Sequence, residues 1–414
     1  MGSLPVRAID QHIEVHYSYQ VCFTRDIFDL KNDIVRDICS GEDQDRQRKV
    51  LVVLDEGVAS ANPGLVDQIT GYFAAQDARL HLTRSPMLVD GGEQVKNDLV
   101  MLNAIHQEID QGGIDRHSYV VAIGGGAVLD MVGFAAATAH RGIRLIRVPT
   151  TILSQNDSGV GVKNSVNAFG KKNFLGTFAP PYAVINDASL IESLPDREWL
   201  GGISEAIKVA LLKDPEFFSF IEDHALALVA RDGDAMSWLI YRCAELHLQH
   251  IATSGDPFEF GSSRPLDFGH WSAHKLEQLS DYRWSHGEAV AIGICLDSTY
   301  ACLQGMLTEP EWRRIIDLFK AVGLPVYAPE MIASLEHQET SQSILSGLEE
   351  FREHLGGELT IMLLRGIGDG YEVHDMDESV LIECMHLLEA EHAREPLSHA
   401  AVADRQPAIT AGSD

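Results

Sequence analysis

The sequence predicts a mainly parallel α/β domain followed by a mostly helical one. Three observations carry that expectation. The chain has 414 residues, too many for one compact core. Short apolar runs alternate with helical patterns up to about residue 190, as when strands are joined by helical crossovers. Beyond that point most patterned segments have helical spacing. The expected units are 1–190, 191–394 with a small strand pair, and a polar tail, 395–414, expected to be disordered.

Element by element, "KVLVVLDEGV" reads as a buried strand ending in an acid, and "NPGLVDQITGYFAAQ" as a helix. The strand "ARLHLTRS", the helix "VKNDLVMLNAIHQEIDQ" and the strand "SYVVAIGGG" follow, then the strands "IRLIRVPTT" and "YAVIND". The second half offers the helices "DREWLGGISEAIKVALLK", "PEFFSFIEDHALALVA", "AMSWLIYRCAELHLQHIAT", "HGEAVAIGICLDSTYACLQ" and "EPEWRRIIDLFKAVG". A strand pair in "GELTIMLLRGIGDGYEVHDM" precedes a last helix.

Composition narrows the function classes. No run of about 18 apolar residues suggests a membrane span, and the N-terminus lacks an apolar signal core. Six scattered cysteines without a CxxC pair suit a reducing, cytoplasmic setting and argue against a thiolate metal site. A formal charge of −29 disfavours nucleic acid and anionic membranes as partners. Against that background Met131 to Asn173 holds six basic residues, Arg141, Arg144, Arg147, Lys163, Lys171 and Lys172, and one acid, Asp157. This is either a solvated face or a pocket for a small anion.

Four stretches could carry chemistry. Gly124, Gly125 and Gly126 sit between a strand and a helix, where backbone N–H groups can receive a phosphate. Asp55, at the end of its strand, is placed to bond ribose hydroxyls, and Glu93 and Lys96 lie in a loop before a helix; together they suggest a nucleotide site. "VPTTILSQNDSGVGVKNSVNAFGKKNFLG" sets Asp157, Lys163, Lys172 and Asn173 in a loop region suited to a phosphate or polyol. Glu205 and Lys208 stand three apart in an otherwise apolar helix, as a salt bridge or with the glutamate as a metal ligand. Finally, "FGHWSAHKLEQLSDYRWSHGEAV" holds His270, His274 and His286. His270 and His274 share a helix face, but Trp271 occupies the glutamate position of an HExxH zinc site. Nitrogen and carboxylate donors without thiolates suit Zn2+, or Co2+ or another divalent ion.

In order, "GEQVK", "GGGAVLD", "RG", "VPTTILSQNDS", "GKKN", "SEAIK", "FGHWSAH" and "HGEAVAIG" resemble the sugar-phosphate cyclases, whose best known member is 3-dehydroquinate synthase. The resemblance runs from about Asp55 to Gly357. It implies a dehydroquinate synthase-like fold, with a Rossmann-like NAD-binding domain and a helical metal-binding domain. It implies Glu205, His270 and His286 as metal ligands, with His274 facing substrate. NAD would meet Asp55, Glu93, Lys96, Gly124 to Gly126, Asp130, Thr150, Thr151 and Glu198. Asp157, Lys163, Lys172, Asn173, Lys208, His247, Asp267 and Arg264 fall on substrate or catalytic positions. Arg141 matches an arginine donated across a homodimer interface to the substrate phosphate. The implied chemistry is oxidation of a ring hydroxyl by NAD+, loss of phosphate, re-reduction and aldol closure to a carbocycle.

Several positions depart from 3-dehydroquinate synthase. Asp267 replaces an asparagine, His247 a lysine and Val162 a glycine; Arg352 and His354 stand where lysines occur; Arg264 lies one residue nearer His270 than the usual arginine. These changes disfavour a substrate carboxylate and favour a ketose phosphate without one, such as sedoheptulose 7-phosphate. Histidine at 274 together with Asp267 resembles the 2-epi-valiolone synthase branch and the dehydroquinate-synthase-like members of Ebo clusters. The expected activity is thus a 2-epi-valiolone synthase, with 3-dehydroquinate synthase and a metal-dependent polyol dehydrogenase as alternatives.

Overall fold

A computed structural model describes residues 8–40, 46–169, 171–253, 265–336, 342–354 and 357–394. Arg264 and the expected tail lie outside them. The N-terminal domain is built on seven parallel strands: β1 (Gln20–Thr24), β2 (Arg48–Asp55), β3 (Leu80–Leu82), β4 (Met87–Val89), β5 (Tyr119–Gly124), β6 (Arg144–Pro149) and, after a separate hairpin, β9 (Ala183–Asp187). Their order is β1-β9-β6-β5-β2-β3, with β4 also on β2. Alternation along β2 sends Leu51 and Val53 to one face, under α4 (Leu99–Gln111) and α5 (Gly126–Thr138). Val50, Val52 and Leu54 go to the other, under α1 (Ile34–Ser40), α2 (Glu56–Ala61) and α3 (Leu65–Ala75). Burial on both faces explains why these strands read as continuous apolar runs.

Chain order reverses between β2 and β5: the chain leaves β2 for β3 on one side, then returns to its other side. Asp55 and Gly124 end these two strands, so the crevice at this switch point is where a dinucleotide is held in such sheets.

The second half is helical: α6 (Asp196–Lys213), α7 (Pro215–Asp223), α8 (Ala225–Val229), α9 (Gly233–Thr253), α10 (His270–Leu279), α11 (His286–Leu303), α12 (Glu309–Ala321), α13 (Glu330–Ala333), α14 (Ser346–His354) and α15 (Glu378–His392), with the strand pair β10 (Ile361–Gly366) and β11 (Asp369–Val373). Its core centres on α6 and α11, whose inward faces are almost wholly buried. None of the described helices is long and apolar enough to cross a membrane.

Four local readings are corrected. The stretch read as a loop after β6 is a π-turn, Ser154–Ser158, and a hairpin of β7 (Lys163–Ala168) and β8 (Lys171–Phe178). Its polarity hid it, because Asn164, Ser165 and Asn167 are buried by hydrogen bonding and not by apolar packing. Glu93 and Lys96 lie on a 3-10 turn, Glu93–Asn97, and α4 starts only at Leu99, where Asp98 caps it. One expected helix is split at His224 into α7 and α8. β1 was not foreseen, since only pairing with β9 completes it.

Candidate active site

Three helices bring the metal candidates together. Glu205 lies on α6, His270 begins α10 and His286 begins α11. Glycines permit the approach. A Cβ on Gly287 would lie 2.6 Å from the carbonyl carbon of Gly201, and one on Gly269 would lie 2.8 Å from Ile294 Cγ1. Gly269 also takes a φ of +78°, which opens the turn before His270. The ligand atoms of the three residues lie within 4.8 Å of one another. Glu205 Oε1 stands 3.7 Å from His270 Nε2 and 3.6 Å from His286 Nε2. Donors about 2.1 Å from a tetrahedral ion are separated by about 3.4 Å, so the set fits a zinc-sized cation.

Neighbours fix the two imidazoles. Phe268 O accepts from His270 Nδ1 at 3.1 Å, and Glu277 Oε2 lies 3.3 Å from His286 Nδ1. Each leaves Nε2 facing Glu205, the arrangement carboxylate and carbonyl partners give metal-binding histidines. Burial opposes charge on His286, but Glu205 and Glu277 prevail and hold it at about 9. Burial, Lys208 and the other histidines push His270 well below its usual range.

Glu205 is placed for both roles that its spacing left open. One oxygen faces the imidazoles, and the other pairs with Lys208. Burial works against ionisation, yet Lys208 and His286 hold the carboxyl at about 2. Lys208 is kept above the usual lysine range, against burial, by Glu205, Asp157 and Asp267. Asp157, on the π-turn, lies 2.8 Å from His247 Nδ1 on α9. Its carboxyl is held low against burial by Lys208 and His247. Lys208, Asp157, Asp267 and His247 thus gather around Glu205, beside the two imidazoles.

His274 shares α10 with His270, as expected, and its ring lies 6.0 Å from that of His286. With Glu277 and His286 it forms a second group of close donors. Glu277 was missed by sequence reasoning; its signal was a carboxylate two turns beyond His270 on the same helix. It also approaches Lys172 at 3.9 Å, linking the hairpin to α10.

At the switch point, Asp55 Oδ1 accepts from Gly57 N at 2.8 Å and caps α2. A Cβ on Gly124 would lie 2.9 Å from Val128 Cβ, and one on Gly126 would lie 2.7 Å from Ser158 Oγ, so bare backbone suits the turn. Thr150 Oγ1 and Ser158 Oγ are buried there without a hydrogen-bond partner. Bare backbone, a helix N-terminus and two unmet hydroxyls suit a dinucleotide pyrophosphate. Lys96 Nζ donates to Asp130 Oδ2 at 2.7 Å and to Asn173, and Ser165 Oγ bonds Asn173 Oδ1 at 2.9 Å. Asn167 lies 3.5 Å from Glu93. The segment from Thr150 and Thr151 to Asp157 runs from the glycine turn to the charged cluster, and Asn156 fastens it to α6 through Gly202 O at 2.9 Å.

Other expected site residues lie at the surface. Glu198 is exposed in the first turn of α6, and Arg141 is exposed in a left-handed turn between α5 and β6. Lys163 is exposed at the start of β7. Of the six basic residues, Arg144 lies against the Tyr119 and Tyr182 rings. Arg147 is fully buried and donates to Gly159 O, Gly161 O, Lys163 O and Asn164 Oδ1. Those two hold structure, which leaves Arg141, Lys163, Lys171 and Lys172 of the basic segment as candidates to meet an anion.

Comparison with known proteins decides the family. Residues 86–201 match the 3-dehydroquinate synthase N-terminal family model, and residues 202–345 match the C-terminal one. The chain belongs to the 3-dehydroquinate synthase family. It is thus a sugar-phosphate cyclase. This cyclase is 36% identical to a 3-dehydroquinate synthase of Shewanella sp. (strain MR-4) over 81% of its own chain and 89% of the relative. It superposes on the 2-epi-5-epi-valiolone synthase ValA of Streptomyces hygroscopicus subsp. jinggangensis, solved with NAD+ and Zn2+, with a TM-score of 0.80 at 28% identity, covering 92% of the cyclase and 99% of ValA. A 2-deoxy-scyllo-inosose synthase with carbaglucose-6-phosphate, NAD+ and Co2+ shares the fold, with a TM-score of 0.72 at 22% identity over 89% and 96% of the chains.

Proposed function

We propose that this cyclase converts sedoheptulose 7-phosphate to the cyclitol 2-epi-valiolone, with NAD in the switch-point crevice and a divalent ion, Zn2+ or Co2+, on Glu205, His270 and His286. The observation that carries the substrate choice is the surroundings of Lys208. Its charge is already shared among Glu205, Asp157 and Asp267. A substrate carboxylate at contact with Asp267 would add a repulsion of about 4 kcal/mol at an effective dielectric near 20. Sugar hydroxyls would instead donate to that aspartate. His247, at the position of a family lysine, lies beside Asp157.

Bound NAD supplies a reversible hydride sink, and a bound divalent ion polarises the substrate oxygen. The chain's own residues do the rest. Lys163 and Lys172 present positive charge for the departing phosphate. Lys208 and Asp157 flank the metal donors, where a proton must move. His274, exposed beside His286, offers a second proton carrier. Asn173 ties the hairpin to Lys96. Arg141 reaches a neighbouring subunit's site in a homodimer; the exposed Phe174, Leu175 and Phe178 of β8 suit burial against a second copy.

The second reading, 3-dehydroquinate synthase, is favoured by the 36% identity to the Shewanella enzyme. Purified protein offered sedoheptulose 7-phosphate and the carboxylated heptulosonate phosphate side by side separates the two. The expected result is phosphate release from the first without net NADH. Asp267→Asn is expected to raise relative turnover of the second. Turnover of the carboxylated sugar alone by the unaltered protein refutes the proposal.

A further inference from the structure

Asp297 lies on α11 one turn beyond Gly293, fully buried in an apolar stretch. Among the described residues no lysine, arginine or histidine forms an ion pair with it. Its two oxygens have separate tasks: Oδ2 accepts from Gly269 N at 3.0 Å and Oδ1 from Trp271 Nε1 at 2.8 Å. These donors flank His270 in sequence. They clamp a turn whose Gly269 is left-handed and whose Phe268 carbonyl holds His270 Nδ1.

A buried carboxylate with two neutral donors is costly. Burial pushes its carboxyl up to about 7 despite both hydrogen bonds. A leucine would pack there more favourably if filling space were the only demand. The turn carries a metal donor whose direction must hold to a few tenths of an ångström.

We infer that Trp271 and Asp297 form a positioning pair that aims His270 Nε2 at the metal. The inference rests on the proposed reading of Glu205, His270 and His286 as ligands. Neither residue meets substrate; both act through the His270 turn.

The test uses Trp271→Phe, which removes the indole donor and part of a buried ring, and Asp297→Asn, whose amide can offer an oxygen to only one donor. Zinc affinity is measured by titrating metal-free protein against a chromophoric chelator. Visible spectra of the Co2+-loaded protein report donor geometry. Each variant is expected to bind zinc about 10-fold to 100-fold more weakly, with an altered cobalt band. The double variant is expected to recover part of the loss, since its amide oxygen is then free for Gly269 N–H. If Asp297→Asn does not fold, Trp271→Phe carries the test. Folded variants with affinity within about twofold of wild type and an unchanged cobalt band overturn the inference. Wild-type protein that binds no zinc overturns the ligand reading itself, and the inference with it.

Discussion

Gly287→Ala tests how the candidate site is built without touching any donor. Gly287 follows His286 and faces Gly201, one turn before Glu205 on α6. The added methyl would lie 2.6 Å from Gly201 C and 2.7 Å from its Cα, and closer still to its oxygen. Ordinary contact begins at 3.4 Å, and the obstacle is backbone, which cannot swing away. The two helices must part by about 1 Å, at a cost of about 1–3 kcal/mol in stability. That movement stretches the 3.6 Å gap between Glu205 Oε1 and His286 Nε2 away from the separation of about 3.4 Å that suits a tetrahedral zinc-sized ion. Zinc affinity is therefore expected to fall about 10-fold to 100-fold, read by chelator competition on metal-free protein. Gly201→Ala is the control. Its Cβ would meet Gly287 Cα and Ser285 Oγ only at 3.9 Å, so affinity and stability should hardly change. Wild-type zinc affinity in Gly287→Ala, or equal losses in both variants, refutes the reasoning.

Two further outcomes are expected. Burial raises Asp297 from 3.8 to about 7, so the native state holds an extra proton between those values. Its contribution therefore weakens stability as pH rises through that window, by about 4 kcal/mol, and is constant above it. Urea unfolding of wild type and Asp297→Asn should give a stability difference that shifts toward the variant from pH 4 to pH 7; a difference independent of pH contradicts this. Arg147→Met leaves two buried carbonyls, the part-buried Lys163 O and Asn164 Oδ1 without this donor. Denaturant melts should show a loss of about 3 kcal/mol or more, and turnover should fall as the turn presenting Asp157 and Lys163 loosens.

The elements legible in the sequence were those whose signal is local. β2 and β5 bury both faces and read as apolar runs, and α6 shows its helical period across Glu205 and Lys208. The hairpin β7–β8 stayed hidden because hydrogen bonds among Lys96, Asp130, Ser165, Asn167 and Asn173 bury its polar side chains. Arg147 looked like part of an anion pocket because its acceptors are backbone carbonyls, which leave no mark in a sequence. Glu277 and Asp297 escaped notice for a related reason. A carboxylate in a helix reads as solvent-facing until the helix it packs against is known.

The donor types were determined by the sequence alone: carboxylate, imidazole and lysine without thiolate, a glycine turn after a strand, and a net charge that disfavours nucleic acid. Those are properties of side chains and short-range spacing. Which lone pairs meet at one point was decided only by tertiary structure. Three helices bring Glu205, His270 and His286 together through glycine contacts between backbones. The carbonyl of Phe268, two residues before His270, and the carboxylate of Glu277, nine residues before His286, turn the imidazoles toward that point. Where the three helices converge comes from packing between segments distant in sequence, and no local pattern encodes it.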